Sequence, residues 1–295
     1  MPVSERLLRL PPRVVGVAVK FSSPQAVTLG RRVVERLSGR GVQVVSDAES
    51  APALGLGPGP ARSDLGRVVD VVVVVGGDGT FLSAARGCPA STPVAGINMG
   101  TLGFLTEHPS DRVDAFLEDL LGGRVVAERR DRLQVSVESA SDLSSFLVLN
   151  DVVINKAVLA RMITINVEVA GEPLTRYRAD GLILATPTGS TAYNLSAGGP
   201  IVHPGLAALL ITPICPHTLS NRPLVIPLDL EVRVWVESGD EGVYLTLDGQ
   251  QGLPLKDGLP VTVRGAAEPL WVVRDRGVSF FSTLHHKLKW GEREV

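Results

Sequence analysis

Cysteine and aromatic residues are scarce in this chain of 295 residues. The two cysteines, Cys88 and Cys215, are too few for a disulfide framework and have no metal-ligand spacing. Aromatic residues make up 4% of the chain, and His285-His286 has no acidic or cysteine partner at ligand spacing. The sequence therefore indicates reduced thiols. Neither the cysteines nor His285-His286 form a recognisable set of metal ligands.

Long apolar runs and an excess of one charge are also missing. No apolar run approaches the roughly 20 residues that a membrane-spanning helix needs. The first twelve residues lack the sustained apolar core of a secretory signal. The net charge of −2 gives no general attraction to nucleic acid or to an anionic membrane. We therefore expect a cytoplasmic chain with neither nucleic acid nor a membrane as partner.

Several familiar motifs do not occur. There is no G-x-x-x-x-G-K-[ST], so a P-loop ATP site is not indicated. No G-x-G-x-x-G follows the first strand, so an ordinary dinucleotide dehydrogenase fold is not supported. Ser190 and Ser196 do not lie in a G-x-S-x-G frame, which argues against a serine hydrolase.

The composition, with 44% hydrophobic and 20% charged residues, is typical of a folded chain. The sequence pattern divides this chain into two parts. Residues 1–124 alternate apolar strands with helices, which predicts an α/β domain with a parallel sheet. Residues 125–276, including the strand-like Leu270–Val273, are mostly strands of alternating polarity and predict an all-β, sandwich-like domain. We expect the tail, residues 277–295, to complete the first domain.

The most informative segment is the valine run Val71–Val75 followed by Gly76-Gly77-Asp78-Gly79-Thr80. Stiff valines fit a buried parallel strand, and the two glycines allow a tight turn. Backbone amides at such a turn form an anion site. A carboxylate placed there repels phosphate unless a cation bridges them or it accepts a proton, so the pattern indicates phosphoryl transfer. The alternative is that Asp78 only caps a helix.

Two further polar segments stand out, and the first of them has the groups that a nucleoside site needs. The block Asp180–Pro200 ends a short strand in a glycine-bearing turn with hydroxyls, free amides, a carboxylate and the Tyr193 ring. The alternative for this block is a well-capped helix. Asn150 and Asp151 are adjacent polar residues in an apolar strand, so at least one should face inward and need a partner. The alternative for this pair is a strand edge or bulge, and His203 is a weaker candidate near the block.

Taken together, the three segments resemble the NAD kinase family. The matches are GGDGT at Gly76–Thr80, Asn150-Asp151 and DGLILATPTGSTAYNLSAGGP at Asp180–Pro200, with support from Gly96–Phe104 and Leu247–Gln250. The resemblance implies phosphorylation of the adenosine-ribose 2′-hydroxyl of NAD, giving NADP, by ATP or polyphosphate. It also implies an α/β domain, a β-sandwich-like domain and a site between them, in a homodimer or homotetramer.

The resemblance also assigns roles by position. Asp78 would be the catalytic base or orienting group and would contact NAD with Gly79, while phosphates would lie against Gly76, Gly77, Gly79 and Thr80. The remaining NAD-binding positions would be Phe104, Asn150, Asp151, Arg161, Arg178, Asp180, Thr191, Ala192, Tyr193, Ser196 and Gln250. The implied cofactor is a divalent cation, usually Mg²⁺. We expect donor phosphates to hold it, because no cluster of carboxylates is evident in the sequence.

Two other functions stay open at this point. Lipid and sugar-phosphate kinases share the glycine motif, but a lipid acceptor calls for an apolar groove and the Asp180–Ser196 block is polar. A non-catalytic NAD-binding regulator would keep that block but would not require Asp78.

Overall fold

The computed structural model describes residues 5–7, 11–100, 102–138, 143–157, 162–218, 220–237 and 242–290. It divides into two compact units: unit 1 is Met1–Arg129 with Leu270–Val295, and unit 2 is Arg130–Pro269. No helix in the described ranges is both long and apolar enough to cross a membrane.

The elements are numbered in chain order. The strands are β1 (Glu5–Leu7), β2 (Val14–Val19), β3 (Gln43–Ser46), β4 (Val71–Gly76), β5 (Val94–Asn98), β6 (His108–Pro109), β7 (Val126–Arg130), β8 (Leu133–Glu138), β9 (Leu143–Val148), β10 (Asp151–Lys156), β11 (Ile163–Val169), β12 (Glu172–Ala179), β13 (Gly181–Ala185), β14 (Ala208–Ile214), β15 (Leu224–Pro227), β16 (Val232–Glu237), β17 (Val243–Leu247), β18 (Gln251–Leu255), β19 (Val261–Gly265) and β20 (Leu270–Arg274). The α-helices are α1 (Pro24–Ser38), α2 (Ala51–Leu54), α3 (Asp78–Ala85), α4 (Val113–Leu121), α5 (Tyr193–Ser196) and α6 (Phe280–Leu288), with 3₁₀ turns at Arg62–Arg67, Ser110–Arg112 and Gly189–Thr191.

Unit 1 contains a mostly parallel sheet in the order β1-β7-β20-β5-β4-β2-β3, with β6 beside β5. The valine strand β4 lies between β2 and β5, parallel to both, and all of its residues are buried. Helices α1 and α4 contribute apolar side chains to the core on one face of this sheet. Strands that are buried on both faces need helices to cover them, and this sheet has such helices. The predicted α/β domain with a parallel sheet is confirmed.

One segment belongs to a different unit from the one that its sequence predicted. The sequence predicts Leu270–Val273 as part of the β-rich domain, but β20 pairs in parallel with β5 in the unit 1 sheet. Parallel pairing buries this apolar strand on both faces, as its burial pattern requires. The unit boundaries therefore lie at residues 129/130 and 269/270 rather than at 124/125 and 276/277.

Unit 2 is built from two six-stranded antiparallel sheets. Their strand orders are β15-β14-β13-β10-β17-β18 and β12-β11-β16-β19-β8-β9. One continuous apolar core takes side chains from both sheets, for example Ile154 and Leu182 from the first and Ile165 and Val234 from the second. Strand β16 alternates buried and more exposed residues as its sequence predicts. Unit 2 is therefore a β-sandwich, which confirms the predicted all-β domain.

The outer face of the first unit 2 sheet is covered as well. Val153, Ile183 and Leu210 form a second cluster with Val202, which comes from the segment between β13 and β14. Strands β13 and β14 are consequently buried along their whole lengths. The predicted nucleoside block is thus held against the outside of the sandwich by apolar packing.

Candidate functional site

The glycine turn of unit 1 joins β4 directly to α3. Gly77 has extended backbone angles, and Asp78 is the first residue of the helix. A Cβ at Gly76 would come within 2.8 Å of the Thr80 Oγ1 atom, so a side chain there would displace Thr80. A Cβ at Gly77 would meet no atom within 4 Å, which leaves open space beside the turn. The turn therefore offers backbone and room to a ligand at the carboxyl end of a central strand.

The Asp78 carboxylate does not cap its own helix. Its Oδ1 atom accepts hydrogen bonds from the amides of Leu105 (3.2 Å) and Thr106 (3.1 Å) and from the Thr106 hydroxyl (2.9 Å). Its Oδ2 atom accepts one, from the Phe104 amide at 2.9 Å. Since a carboxylate oxygen can accept about two hydrogen bonds, Oδ2 retains accepting capacity while Oδ1 is saturated.

The segment that holds Asp78 is fixed in turn by neighbouring polar groups. The Asn98 Nδ2 atom donates to the Thr106 hydroxyl at 2.9 Å, and the Gly100 amide donates to Asn98 Oδ1 at 2.6 Å. The centroids of the Phe104 ring and the Phe280 ring of α6 are 6.4 Å apart. The Lys287 Nζ atom lies 5.9 Å from the centroid of the Phe104 ring. The carboxylate is thus held by a loop that strand β5 and helix α6 both support.

Gly103 gives a direct test of this loop. A Cβ at Gly103 would overlap the Asp78 carboxylate and the Thr106 hydroxyl, whereas a Cβ at Gly100 would meet nothing within 4 Å. We expect Gly103→Ala to lower the free energy of unfolding by about 1–3 kcal/mol, as overpacking does. Amide hydrogen exchange at residues 104–106 should accelerate with it. Equal effects of Gly103→Ala and the control Gly100→Ala would contradict this packing.

In unit 2, the carboxylate of Asp248 organises the Asn150-Asp151 pair. Asp248 and Gly249 both have positive φ angles, and the Gln250 amide donates to the Leu247 carbonyl, as in a type I′ hairpin turn. Asp248 Oδ1 accepts from the amides of Asn150 (2.7 Å), Leu149 (3.2 Å) and Asp151 (3.3 Å). An Asp-Gly pair after an apolar strand is a sequence signal for such a hairpin, but nothing in the sequence indicates this use of the Asp248 side chain.

Asp151 lies at the start of β10 and is only 3% exposed. Its pKa is raised from 3.8 to about 7, chiefly by burial and in addition by the charge of Asp248, while a hydrogen bond from the Tyr193 backbone opposes the rise. Two carboxylates close together in a buried place resist being ionised at once. Asp151 is therefore poised to exchange a proton near neutral pH, directly beside the residue that begins α5.

This pKa predicts a pH dependence of stability. Because the folded-state pKa is raised, the native chain holds an extra proton between about pH 4 and pH 7, and stability falls as pH rises through that window. Asp151→Asn removes the titration. As pH rises through this window, we expect the free energy of unfolding of Asp151→Asn to increase relative to that of the wild type by on the order of 1 kcal/mol per pH unit. Denaturant unfolding at several pH values measures this, and a pH-independent difference would contradict it.

Asn150 carries an unpaired acceptor. Its Oδ1 atom is buried and makes no hydrogen bond within the described structure. Its backbone carbonyl accepts from the Thr186 amide at 2.9 Å, and a Cβ at Gly189 would overlap the Asn150 backbone. The backbone is therefore fixed, while one buried side-chain acceptor has no donor among the described residues.

Within the Asp180–Pro200 block, the structure separates internal residues from exposed ones. Ser190 is fully buried, and its hydroxyl bonds to the backbone of Pro187 and Val202. Its hydroxyl is therefore not among those that the block offers to a ligand, contrary to the expectation from the sequence. Asn194, which the sequence reading missed, bonds through Nδ2 to the Ser190 and Pro200 carbonyls and accepts from Thr212. No sequence signal distinguishes these internal partners from their neighbours.

The other predicted residues of the block remain accessible. Tyr193 is 40% exposed and Ser196 is exposed, while Thr191 and Ala192 are half-buried. The Thr191 hydroxyl donates to the Thr188 carbonyl at 3.3 Å. The four side chains that the family resemblance assigned to NAD in this segment are therefore accessible, as are Leu195 and Pro200 beside them.

The remaining predicted positions lie elsewhere in unit 2 or outside the described residues. Asp180 forms an ion pair with Lys156 at 3.0 Å, and Arg178 is an exposed residue of β12. Gln250 is exposed in the hairpin after β17. Arg161 lies outside the described residues. His203 accepts a hydrogen bond from the Gly205 amide, a local role in its own turn.

Comparison with known proteins decides the family. The model of the ATP-NAD kinase N-terminal domain matches residues 61–125, and that of the ATP-NAD kinase C-terminal domain matches residues 149–274. The NAD kinase of Geobacter sulfurreducens is 47% identical over 281 residues, covering 95% of this chain and 99% of that protein. The chain belongs to the NAD kinase family. The family membership predicted from the sequence is confirmed.

Solved structures of NAD kinase family members resemble the chain over nearly its whole length. Yeast NADH kinase, complexed with NADH, has a TM-score of 0.86 at 27% identity, over 96% of this chain and 89% of that one. An NAD kinase from Archaeoglobus fulgidus, in complex with ATP, has a TM-score of 0.75 at 26% identity, over 92% and 99%. The NAD kinase architecture therefore extends through both units.

Proposed function

We propose that this member of the family transfers the terminal phosphoryl group of ATP, or a phosphoryl group of polyphosphate, to the adenosine-ribose 2′-hydroxyl of NAD. The bond that forms joins the 2′-oxygen to phosphorus, and the bond that breaks joins that phosphorus to the bridging oxygen of the donor. The products are NADP and the shortened donor. The observation that carries this proposal is the Asp78 carboxylate, fixed through Oδ1 and left with accepting capacity on Oδ2 beside the open glycine turn.

Asp78 is the group that accepts the proton of the 2′-hydroxyl. A ribose hydroxyl is a poor nucleophile near pH 7, and a carboxylate within hydrogen-bond reach typically contributes about 10²–10⁴-fold. The four hydrogen bonds from residues 104–106 hold the carboxylate in one orientation before the substrate arrives. A base fixed in advance needs no rearrangement during the reaction.

The glycine turn holds the transferred phosphates. Gly76, Gly77, Gly79 and Thr80 form this part of the proposed site, and the unfilled space at Gly77 lets phosphate oxygens approach the backbone. The protein takes little part in the covalent chemistry of phosphoryl transfer, since positioning and neutralisation of charge account for most of the rate acceleration.

Most of the residues proposed for the dinucleotide lie in unit 2, and Phe104 of unit 1 also belongs to the proposed set. Asn150 Oδ1 accepts from a ribose hydroxyl, which would supply the donor that this buried atom lacks. Asp151 offers a carboxyl group, and Tyr193 gives a partly exposed ring on which a base can stack. The proposed set is completed by Arg161, Arg178, Asp180, Thr191, Ala192, Ser196 and Gln250.

The divalent cation of this proposal, Mg²⁺, would be held mainly by the donor phosphates. The described residues contain no group of three or more acidic, histidine or cysteine side chains able to hold a metal ion. Mg²⁺ commonly binds through substrate phosphates and retained waters with few protein carboxylates. When bound, the cation would neutralise charge on the donor. Assembly as a homodimer or homotetramer stays a prediction.

The test is to incubate the purified chain with Mg²⁺, one acceptor and one donor and to measure the phosphorylated dinucleotide enzymatically. The acceptor arms are NAD and NADH, the latter because the yeast relative in complex with NADH is an NADH kinase. The donor arms are ATP and polyphosphate. Formation of NADP is the expected result. A chain that binds NAD without forming product from either donor would instead be a non-catalytic binding protein.

A further inference from the structure

The glycine turn has a shortage of positive charge. Gly76–Thr80 contains one carboxylate and no lysine or arginine. A phosphoryl donor brings several negative charges to this turn, and backbone amides and one divalent cation offset only part of them. A cationic side chain from a neighbouring element would therefore be expected near the turn.

Strand β2 is the neighbour that can supply it. Val19 pairs in parallel with Val75, so Lys20 follows β2 at the level where Gly76 ends β4. The Lys20 amide donates to the Val75 carbonyl at 2.9 Å, which fixes the lysine backbone beside the glycine turn. Ligands of open parallel sheets bind at this carboxyl edge of the strands.

The backbone of Lys20 is held on its other side too. Its carbonyl accepts from the Ser23 amide at 2.9 Å, and Ser23 is the N-cap of α1, with its hydroxyl accepting from Ala26. The side chain of Lys20 is exposed. The Lys20 backbone is therefore fixed, while its flexible side chain can carry the ammonium group toward a ligand.

A second cation near the end of β2 is already neutralised. Arg62 donates to the Val19 carbonyl at 3.3 Å and forms ion pairs with Asp47 (3.1 Å) and Glu49 (3.3 Å). For Lys20, by contrast, the described part of the chain gives no ion pair with a carboxylate. Of these two cations, Lys20 is the one whose charge is still available to an anion.

We propose that Lys20 is a further binding residue for the phosphoryl donor, contacting its phosphate oxygens on the β2 side of the glycine turn. The inference deepens the proposed phosphoryl transfer and rests on it. A lysine ammonium binds phosphate as a mobile point charge, and the open space at Gly77 leaves room for phosphate oxygens beside it. Lys20 acts on the donor and not on the dinucleotide.

The experiment compares Lys20→Gln, Lys20→Arg and the control Lys256→Gln, which removes an exposed lysine from unit 2. We expect Lys20→Gln to raise the KM for ATP by about 10–100-fold, the loss of one charge-assisted contact, with an unchanged KM for NAD. Lys20→Arg should recover most of the ATP affinity. Lys256→Gln should behave as the wild type, and thermal melting should confirm that all three variants fold.

Calorimetric binding of ATP with Mg²⁺, measured without NAD, separates this inference from the proposed reaction. If the wild type forms no NADP but Lys20→Gln still binds ATP more weakly, the proposed reaction fails and the donor site stands. If Lys20→Gln matches Lys256→Gln in both ATP binding and KM, the proposal for Lys20 is overturned. An increased KM for NAD with an unchanged KM for ATP would overturn it as well.

Discussion

Asp78→Asn should leave a chain that folds and binds NAD but forms NADP about 10²–10⁴-fold more slowly, the range that removal of a general base predicts. The amide cannot take the proton of the 2′-hydroxyl. It also offers one acceptor oxygen where the carboxylate offers two, so its nitrogen would face a backbone donor of residues 104–106. Steady-state kinetics give kcat, and calorimetry gives the affinity for NAD.

Because Asp78 also anchors a loop, the control has to loosen that loop while keeping the carboxylate. Thr106→Ala does this, since it removes one of the four donors to Asp78 and the side-chain acceptor of Asn98 Nδ2, which keeps the Thr106 carbonyl as a partner. We expect Thr106→Ala to lower kcat far less than Asp78→Asn. If both variants lost activity equally, Asp78 would be an anchor and not a base. Wild-type turnover of Asp78→Asn would have the same meaning.

Asp248→Ala should produce the largest loss of stability, on the order of 3 kcal/mol in the free energy of unfolding, together with weaker binding of NAD. The substitution leaves the amides of Leu149, Asn150 and Asp151 without their shared acceptor. Alanine also disfavours the positive φ angle that residue 248 adopts. Removal of the Asp248 charge should in addition lower the pKa of Asp151. Denaturant unfolding and NAD calorimetry measure the two main effects.

Two matched variants separate the causes. Asp248→Asn tolerates the positive φ angle and keeps one acceptor oxygen, so its stability should lie between those of the wild type and Asp248→Ala. Asp229→Ala removes an exposed aspartate near the end of β15 and should change the free energy of unfolding little. If Asp248→Ala lowered the free energy of unfolding no more than Asp229→Ala does, the organising role of Asp248 would be contradicted.

The backbone of unit 1 could be predicted because its signals are local. The valines of β4 are too stiff for a helix and too apolar for an exposed strand, and the glycines that follow permit the turn to α3. The assignment of β20 could not be predicted in the same way. An apolar strand of five residues fits either a parallel sheet or a sandwich, and only the tertiary pairing with β5 decides between them.

The side-chain partners were beyond the sequence for a similar reason. Asp78 is identifiable as a functional residue from its turn, but its four donors come from residues 26–28 positions further along the chain. Asp248 is signalled as a hairpin residue, yet its contacts with Leu149–Asp151 join positions 97–99 residues apart. Such contacts depend on how strands pair, which no local periodicity encodes.

In the proposed reaction, Asp78 accepts the proton of the adenosine 2′-hydroxyl. A crystal structure of the chain with NAD, Mg²⁺ and a non-hydrolysable ATP analogue tests it most directly. We expect a distance of about 2.6–3.2 Å between the adenosine 2′-oxygen and Asp78 Oδ2. A 2′-oxygen bound beyond hydrogen-bond reach of Asp78, with no water bridging the two, would contradict it.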